Sequence, residues 1–169
     1  MATDYQNISA DLIWEITREP SQFEQLSEAA RGPYNAFLIK RKQAGGVQFS
    51  RDFLNLTNKH SRKYEGFVNE KAIGIQPSGS NGLTMTTKLA AKANSPLKTL
   101  QHTTFGASTS SRKTYRSIVN STAKKGYRAD LRAEAVARAS AIRKSQGKKK
   151  DSKASKPRGA KARKAAESA

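Results

Sequence analysis

The chain has 169 residues, with 32 Lys and Arg against 13 Asp and Glu, for a net charge of +19. It contains no cysteine, which excludes a disulfide scaffold, a thiolate zinc site and thiol catalysis and fits a reducing compartment. No apolar run approaches the roughly 18 residues that a membrane-spanning helix needs, and an N-terminus carrying Asp4, Asp11 and Glu15 does not read as a secretory signal.

Taken in chain order, Asp11 to Thr17 alternates Leu12, Trp14 and Ile16 and predicts a strand with one buried side. Trp14, the only tryptophan, is expected in the core. Ser21 with Glu24 makes a capping-box pattern at the start of a short acidic helix, Pro20 to Ala30, which Gly32-Pro33 stops. A second strand is expected over Ala36 to Lys42, a turn at Gly45-Gly46, and a third strand over Val47 to Phe49. Phe53, Leu54 and Leu56 are apolar anchors ahead of a polar, basic loop from Asn58 to Lys63.

A meander is predicted next, with Glu65 to Val68 as a strand, a tight turn at Asn69-Glu70, and Lys71 to Gln76 returning antiparallel. Turn chemistry fills Pro77 to Gly82, and Leu83 to Lys88 favours β again. Leu89 to Ser111 has no periodicity and reads as an extended linker. Ser110 to Lys125 predicts a helix with Tyr115, Ile118, Val119 and Thr122 on one stripe, ending at Gly126. Asp130 caps a second helix to about Lys144, with Leu131, Ala135, Ala139 and Ile142 along one face. Gly147 to Ala169 is Lys/Arg/Ala/Ser low complexity, expected to be disordered when free.

The expected fold class is α+β. A near-neutral β-rich body with a small antiparallel sheet spans residues 1–88, followed by an extended linker at 89–109, a basic helical extension at 110–146 and a disordered basic tail at 147–169. Charge divides the same way. From Met1 to Thr87, 10 basic residues face 9 acidic ones; from Lys88 onward, 22 face 4. Of 28 Leu, Ile, Val and Phe residues, 19 lie between Ile8 and Leu83. A segment as cationic as the second half stays compact only against a polyanion, and the commonest polyanion in a cell is nucleic acid.

Convergent reactive groups are hard to find. His60 and His102 lie in basic, polar stretches with no acidic neighbour close by to orient a ring, and no histidine pair has metal-ligand spacing. The glycine stretches at Gly45-Gly46 and Gly79 to Gly82 lack the spacing of a phosphate loop. No catalytic, cofactor-binding or metal residue is expected. The nucleic-acid signal is collective: Lys40, Arg41 and Lys42; Arg62 and Lys63 beside Tyr64; Arg112, Lys113 and Arg116 around Tyr115; Lys124, Lys125 and Arg128 around Tyr127. Arg132, Arg138 and Arg143 continue it along the second helix, and Lys148, Lys149 and Lys150 carry it into the tail, where a nuclear-localisation reading is compatible. Cations meet phosphates and a tyrosine ring stacks on an unpaired base; packing at helix ends is the competing reading of Tyr115 and Tyr127.

An ordered set of segments carries a resemblance. Phe37-Leu38-Ile39-Lys40-Arg41, Tyr64-Glu65-Gly66-Phe67, Lys71 to Pro77, Tyr127 to Arg132 and Arg138 to Gln146 resemble the eukaryotic large-subunit ribosomal protein family called L twenty-eight e. The resemblance runs from about Asp11 to Gln146 and departs between Arg18 and Pro33, where the acidic helix looks like an insertion. It implies a structural constituent of the cytosolic ribosome that binds large-subunit ribosomal RNA, with no enzymatic activity and no cofactor. The implied partners are that RNA and neighbouring ribosomal proteins, with no membrane, small-molecule substrate or homo-oligomer, and the implied location is cytoplasmic with nuclear and nucleolar transit during assembly. Two alternatives stay open: a nuclear ribosome-assembly factor, from a related family that is longer and acidic at its C-terminus, and a chromatin protein with the charge layout of a linker histone.

Overall fold

The computed structural model describes residues 8–18, 36–40, 47–79, 81–92, 95, 98–147 and 158–167. Its centre is an antiparallel hairpin, β3 (Ile73–Ser78) and β4 (Gly82–Lys88), in the register Ile73↔Thr87 to Ser78↔Gly82. The turn carries Asn81 at φ 57°, a left-handed conformation that asparagine tolerates. Strand alternation puts Ile73, Ile75, Leu83 and Met85 on one face of the hairpin, where all four are buried. A third strand, β5 (Leu100–Phe105), pairs with β4 from Leu83↔Phe105 to Lys88↔Leu100. Two shorter strands, β1 (Leu38–Lys40) and β2 (Gln48–Ser50), form a separate antiparallel pair.

Helices close the buried face of the hairpin. In α2 (Ser111–Ser121), Ser110 caps the start by accepting from the Lys113 amide, and Thr114, Ile118 and the following Thr122 point inward at a spacing of four. A 3-10 turn, Ala123–Lys125, ends at Gly126 with φ 69°. Next, α3 (Arg132–Gln146) lays Ala135, Ala139 and Ile142 against the sheet, with Leu131 just ahead of it. The small Ala135 and Ala139 let the helix axis approach the strands closely. Burying Ile73, Ile75, Leu83 and Ile118 contributes about 1.5–3 kcal/mol each.

The opposite face of β3 is covered by the irregular segment that follows β2. Gly74 lies under it, so close that a Cβ there would stand 2.5 Å from the Phe53 carbonyl oxygen. Asp52 is buried and organises this segment: Oδ1 accepts from the Leu54 amide at 3.0 Å, and Oδ2 accepts from the Gly66 and Phe67 amides at 2.9 and 3.1 Å. The Lys88 ammonium donates to the carbonyls of Gly66 at 2.6 Å and Asn69 at 3.1 Å, and burial lowers its pKa.

The α+β class holds, and several elements differ from expectation. Residues Ala10–Thr17 form a helix, α1, rather than a strand. Ile8, Leu12 and Ile16 recur every four residues as well as partly every two, and the Ser9 hydroxyl accepts from the Leu12 amide at 3.2 Å, which selects the helix. That face of α1 is exposed, and Trp14 is half-buried with its ring 5.0 Å from that of His60. Glu65 to Val68 is a run of turns, because the Asp52 carboxylate takes the amides that a partner strand would need. Strand β5 lies in the segment read as a linker. Asp130 does not cap α3; it pairs with Arg128. The expected disordered tail contains a helix, α4 (Ala160–Glu167), consistent with its Ala, Lys and Arg content. The expected acidic helix and the Gly45-Gly46 turn lie outside the described residues. Among the described residues no helix is long and apolar enough to cross a membrane.

Candidate nucleic-acid interface

The cations singled out by sequence fall into three structural situations. The first is a groove between α2 and α3. Tyr115, Arg116, Val119, Asn120 and Lys124 line one wall; Ala129, Asp130, Arg132, Ala133 and Val136 line the other, enclosing about 770 Å³. Arg116 and Arg132 sit on facing helices, and the helix spacing of Arg116 from Arg112 and Lys113 extends the cationic surface along α2. All five of Arg112, Lys113, Arg116, Lys124 and Arg132 are exposed, as is Lys125, while Tyr115 is half-buried. The groove's one carboxylate, Asp130, is already neutralised: hydrogen bonds from Arg128 at 3.0 Å hold its pKa below the ordinary 3.8, against a smaller opposing effect of burial. The rim therefore presents Arg116, Lys124 and Arg132 to solvent as net positive charge.

The second situation is internal use. The Tyr127 hydroxyl meets the Lys88 carbonyl at 2.7 Å and the Ala72 carbonyl at 3.1 Å, and accepts from the Ala72 amide at 3.2 Å. Arg128 stands in the left-handed region at φ 46° and spans to the carbonyls of Lys71 and Lys63, each at 2.8 Å. At the other end of α3, Arg143 donates to the carbonyls of Gly106 at 2.8 Å, Asn81 at 3.2 Å and Thr109 at 3.3 Å, and Gln146 donates to Gly82 at 2.9 Å. These groups tie α3 to the open and the closed ends of the β3–β4 hairpin. Tyr127 is packed against the core, with its hydroxyl bonded to the open end of the hairpin.

The third is a partly exposed set around the body. Arg62 pairs with Asp11 of α1, and Lys63 lies 3.8 Å from Glu134 and 5.3 Å from the centre of the Tyr64 ring. Arg138 is half-buried on α3, in a different cleft from the α2–α3 groove, with Arg51 and Phe53 on its far wall. Sequence reasoning missed those two, since neither sits in a run of cations. Lys40 closes β1; its side chain, together with Arg41, Lys42, Lys148, Lys149 and Lys150, lies outside the described residues.

One expectation about chemistry is corrected. His60 does have an acidic neighbour: its Nδ1 is 3.0 Å from Glu65 Oε1, and Ser50 donates to Glu65 Oε2 at 2.9 Å. A separation of five residues within a turn, rather than a run of acids, produced the pair. Burial pushes the Glu65 carboxyl above its ordinary 4.5, opposed by the hydrogen bonds from His60 and Ser50. The two side chains are 3% and 0% exposed, so no substrate reaches them. The pair fastens the loop from β2 to Val68 and offers no reactive surface.

Comparison with known proteins converges on one family. Residues 12–145 match the model of the Ribosomal L28e protein family. The "Large ribosomal subunit protein eL28" of Schizosaccharomyces pombe is 39% identical over 145 residues, covering 85% of this chain and 97% of that protein. The protein of the same name from Dictyostelium discoideum is 31% identical over 132 residues, covering 78% of this chain and 83% of its own length. With the match reaching from α1 nearly to the end of α3, this chain belongs to the ribosomal L28e protein family.

Proposed function

We propose that this chain is a non-catalytic structural constituent of the large subunit of the cytosolic ribosome, holding large-subunit ribosomal RNA through phosphate contacts and RNA shape. The observation that carries the reading is the exposed, net-positive surface of α2 and the α2–α3 groove, on a chain whose charge is +19. Such a surface binds the regularly spaced phosphates of folded RNA; the many weak contacts add, and affinity falls by about 0.7–0.9 log units per phosphate contact for each decade of salt. Arg112, Lys113, Arg116, Lys124, Lys125 and Arg132 are its phosphate contacts, and Tyr115 is the ring available to an unpaired base. Tyr127, Arg128 and Arg143 act one step back, by fixing α3 to the sheet that presents those cations. Neighbouring ribosomal proteins complete its surroundings, and its passage to the ribosome runs through the nucleus and nucleolus.

The test is co-sedimentation of the tagged chain on sucrose gradients at low and moderate salt. Stoichiometric recovery in mature large subunits and translating ribosomes at both salts is the expected result. Recovery only in nuclear precursor particles would make it an assembly factor, and absence from both would favour the chromatin reading.

A further inference from the structure

On the far side of α3 from the α2–α3 groove, a cleft of about 630 Å³ runs between the β1–β2 pair, the segment after β2 and α3. A cleft of this size accommodates a small organic ligand or one nucleotide. Its polar lining is unevenly committed. Asp52 spends both carboxylate oxygens on backbone amides, Ser50 donates to Glu65, and Gln76 donates to the Phe53 carbonyl at 3.1 Å. The two guanidinium groups have no such partner: neither Arg51 nor Arg138 makes a side-chain hydrogen bond or ion pair among the described residues, and the Nε of Arg138 is buried without an acceptor. A buried donor with nothing to donate to is costly unless something supplies the acceptor.

Beside these two cations lie aromatic rings. Phe53 is 43% exposed although Leu54 and Leu56 just after it are buried, and Phe49 of β2 lines the same cleft half-buried. The buried Nε of Arg138 lacks an acceptor and the exposed Arg51 adds a second positive charge, so the cleft favours an anion, and the exposed Phe53 ring beside them suits a flat π-system. A carboxylate peptide would satisfy the arginines and leave the rings idle; a nucleotide uses both.

We infer that this cleft binds one unpaired nucleotide of an RNA strand, its phosphate on Arg51 and Arg138 and its base against Phe53. The assignment rests on the RNA-binding reading above and adds a second, base-stacking site to it. Base–aromatic stacking contributes about 1–3 kcal/mol per base and tolerates any base, so the cleft recognises a flipped or single-stranded nucleotide rather than a sequence.

The test uses the full chain, a single-stranded RNA hexanucleotide carrying one 2-aminopurine as fluorescent probe, and a blunt RNA duplex as control. Phe53→Ala, at an exposed position, should weaken hexanucleotide binding about tenfold and leave duplex binding unchanged. Arg51→Ala should weaken hexanucleotide binding and lower its salt slope by about 0.7, the share of one phosphate on a single strand. The urea midpoints of both variants, expected to match the parent, keep a folding defect from passing as a binding one. Wild-type binding to both RNAs with no effect of Phe53→Ala would overturn the cleft assignment alone. Failure of the wild type to bind either RNA would overturn the RNA reading and this site with it. If hexaglutamate peptide displaces the hexanucleotide and binds equally well to Phe53→Ala, the cleft is an acidic-peptide site and the nucleotide assignment falls.

Discussion

Replacing Tyr127 by Phe isolates a single hydroxyl that joins the start of the helical region to the open end of the hairpin. The ring and its packing stay; what goes is the contact set at 2.7 Å to the Lys88 carbonyl and 3.1 and 3.2 Å to the Ala72 carbonyl and amide. One O–H proton serves the two carbonyls, and the oxygen lone pair serves the amide. The Ala72 carbonyl keeps a second partner, the Lys88 amide at 3.2 Å, so the loss falls on the Ala72 N–H and the Lys88 carbonyl. Ala72 is 2% exposed, and water cannot readily take the place of the hydroxyl. Leaving such a group unsatisfied costs about 1–3 kcal/mol. With a urea slope of about 1–3 kcal/mol/M, a 2 kcal/mol loss moves the midpoint down by about 1 M at an unchanged slope. The same hydroxyl sets an alkaline limit. Burial pushes its pKa above the ordinary 10.0, more than the bonds to Ala72 and Lys88 and the charge of Arg128 pull it down. The folded chain then holds a proton that the unfolded chain has released, so stability is whole below pH 10.0 and declines as pH climbs through the raised value. Urea titrations across this range should show a steeper decline for the parent than for Tyr127→Phe. A stability change under about 0.5 kcal/mol, with the same alkaline slope in both proteins, would refute the view that this hydroxyl fastens the hairpin.

Three further outcomes follow from the same geometry. Arg143→Lys keeps the charge but loses the planar fork that reaches the carbonyls of Asn81, Gly106 and Thr109, and should cost about 2 kcal/mol by chemical denaturation. Gly74→Ala drives a methyl group against the Phe53 carbonyl at 2.5 Å and should cost about 1–3 kcal/mol, with shifted amide resonances for the segment after β2. The triple variant Arg116→Ala, Lys124→Ala and Arg132→Ala should fold within about 0.5 kcal/mol of the parent and lower the salt slope of RNA binding by about 2–3; an unchanged slope would remove the α2–α3 groove from the phosphate contacts.

How far the sequence disclosed this structure depends on whether the deciding partner was local. The hairpin was legible because alternation and turn residues coincide between Ile73 and Lys88, and the inward face of α3 because Leu131, Ala135, Ala139 and Ile142 keep helical spacing. Strand β5 was not, since Gln101, His102, Thr103 and Thr104 are all exposed and leave no apolar alternation to read. At α1, two periods competed in a short window, and a serine cap decided between them. The candidate site divides in the same manner. Exposed cations at helical spacing on α2 were visible as a group. The internal duties of Arg128 and Arg143 depend on carbonyls 57 and 37 residues away, and Arg51 meets Arg138 in one cleft across 87 positions of chain. No local pattern encodes such meetings.

The helix strapped along the hairpin also fixes an order of events during synthesis. The face formed by Ile73, Ile75, Leu83 and Met85 is complete once Lys88 has been made, yet its cover ends only at Gln146, 58 residues later. At about 5–20 residues per second, that interval lasts about 3–12 s, during which the nascent chain carries an uncovered apolar face on a sheet that β5 widens to three strands once Phe105 has been made. Termination or stalling within α2 would leave that face open for good. The strap at Arg143 and Gln146 is the step that ends the exposure.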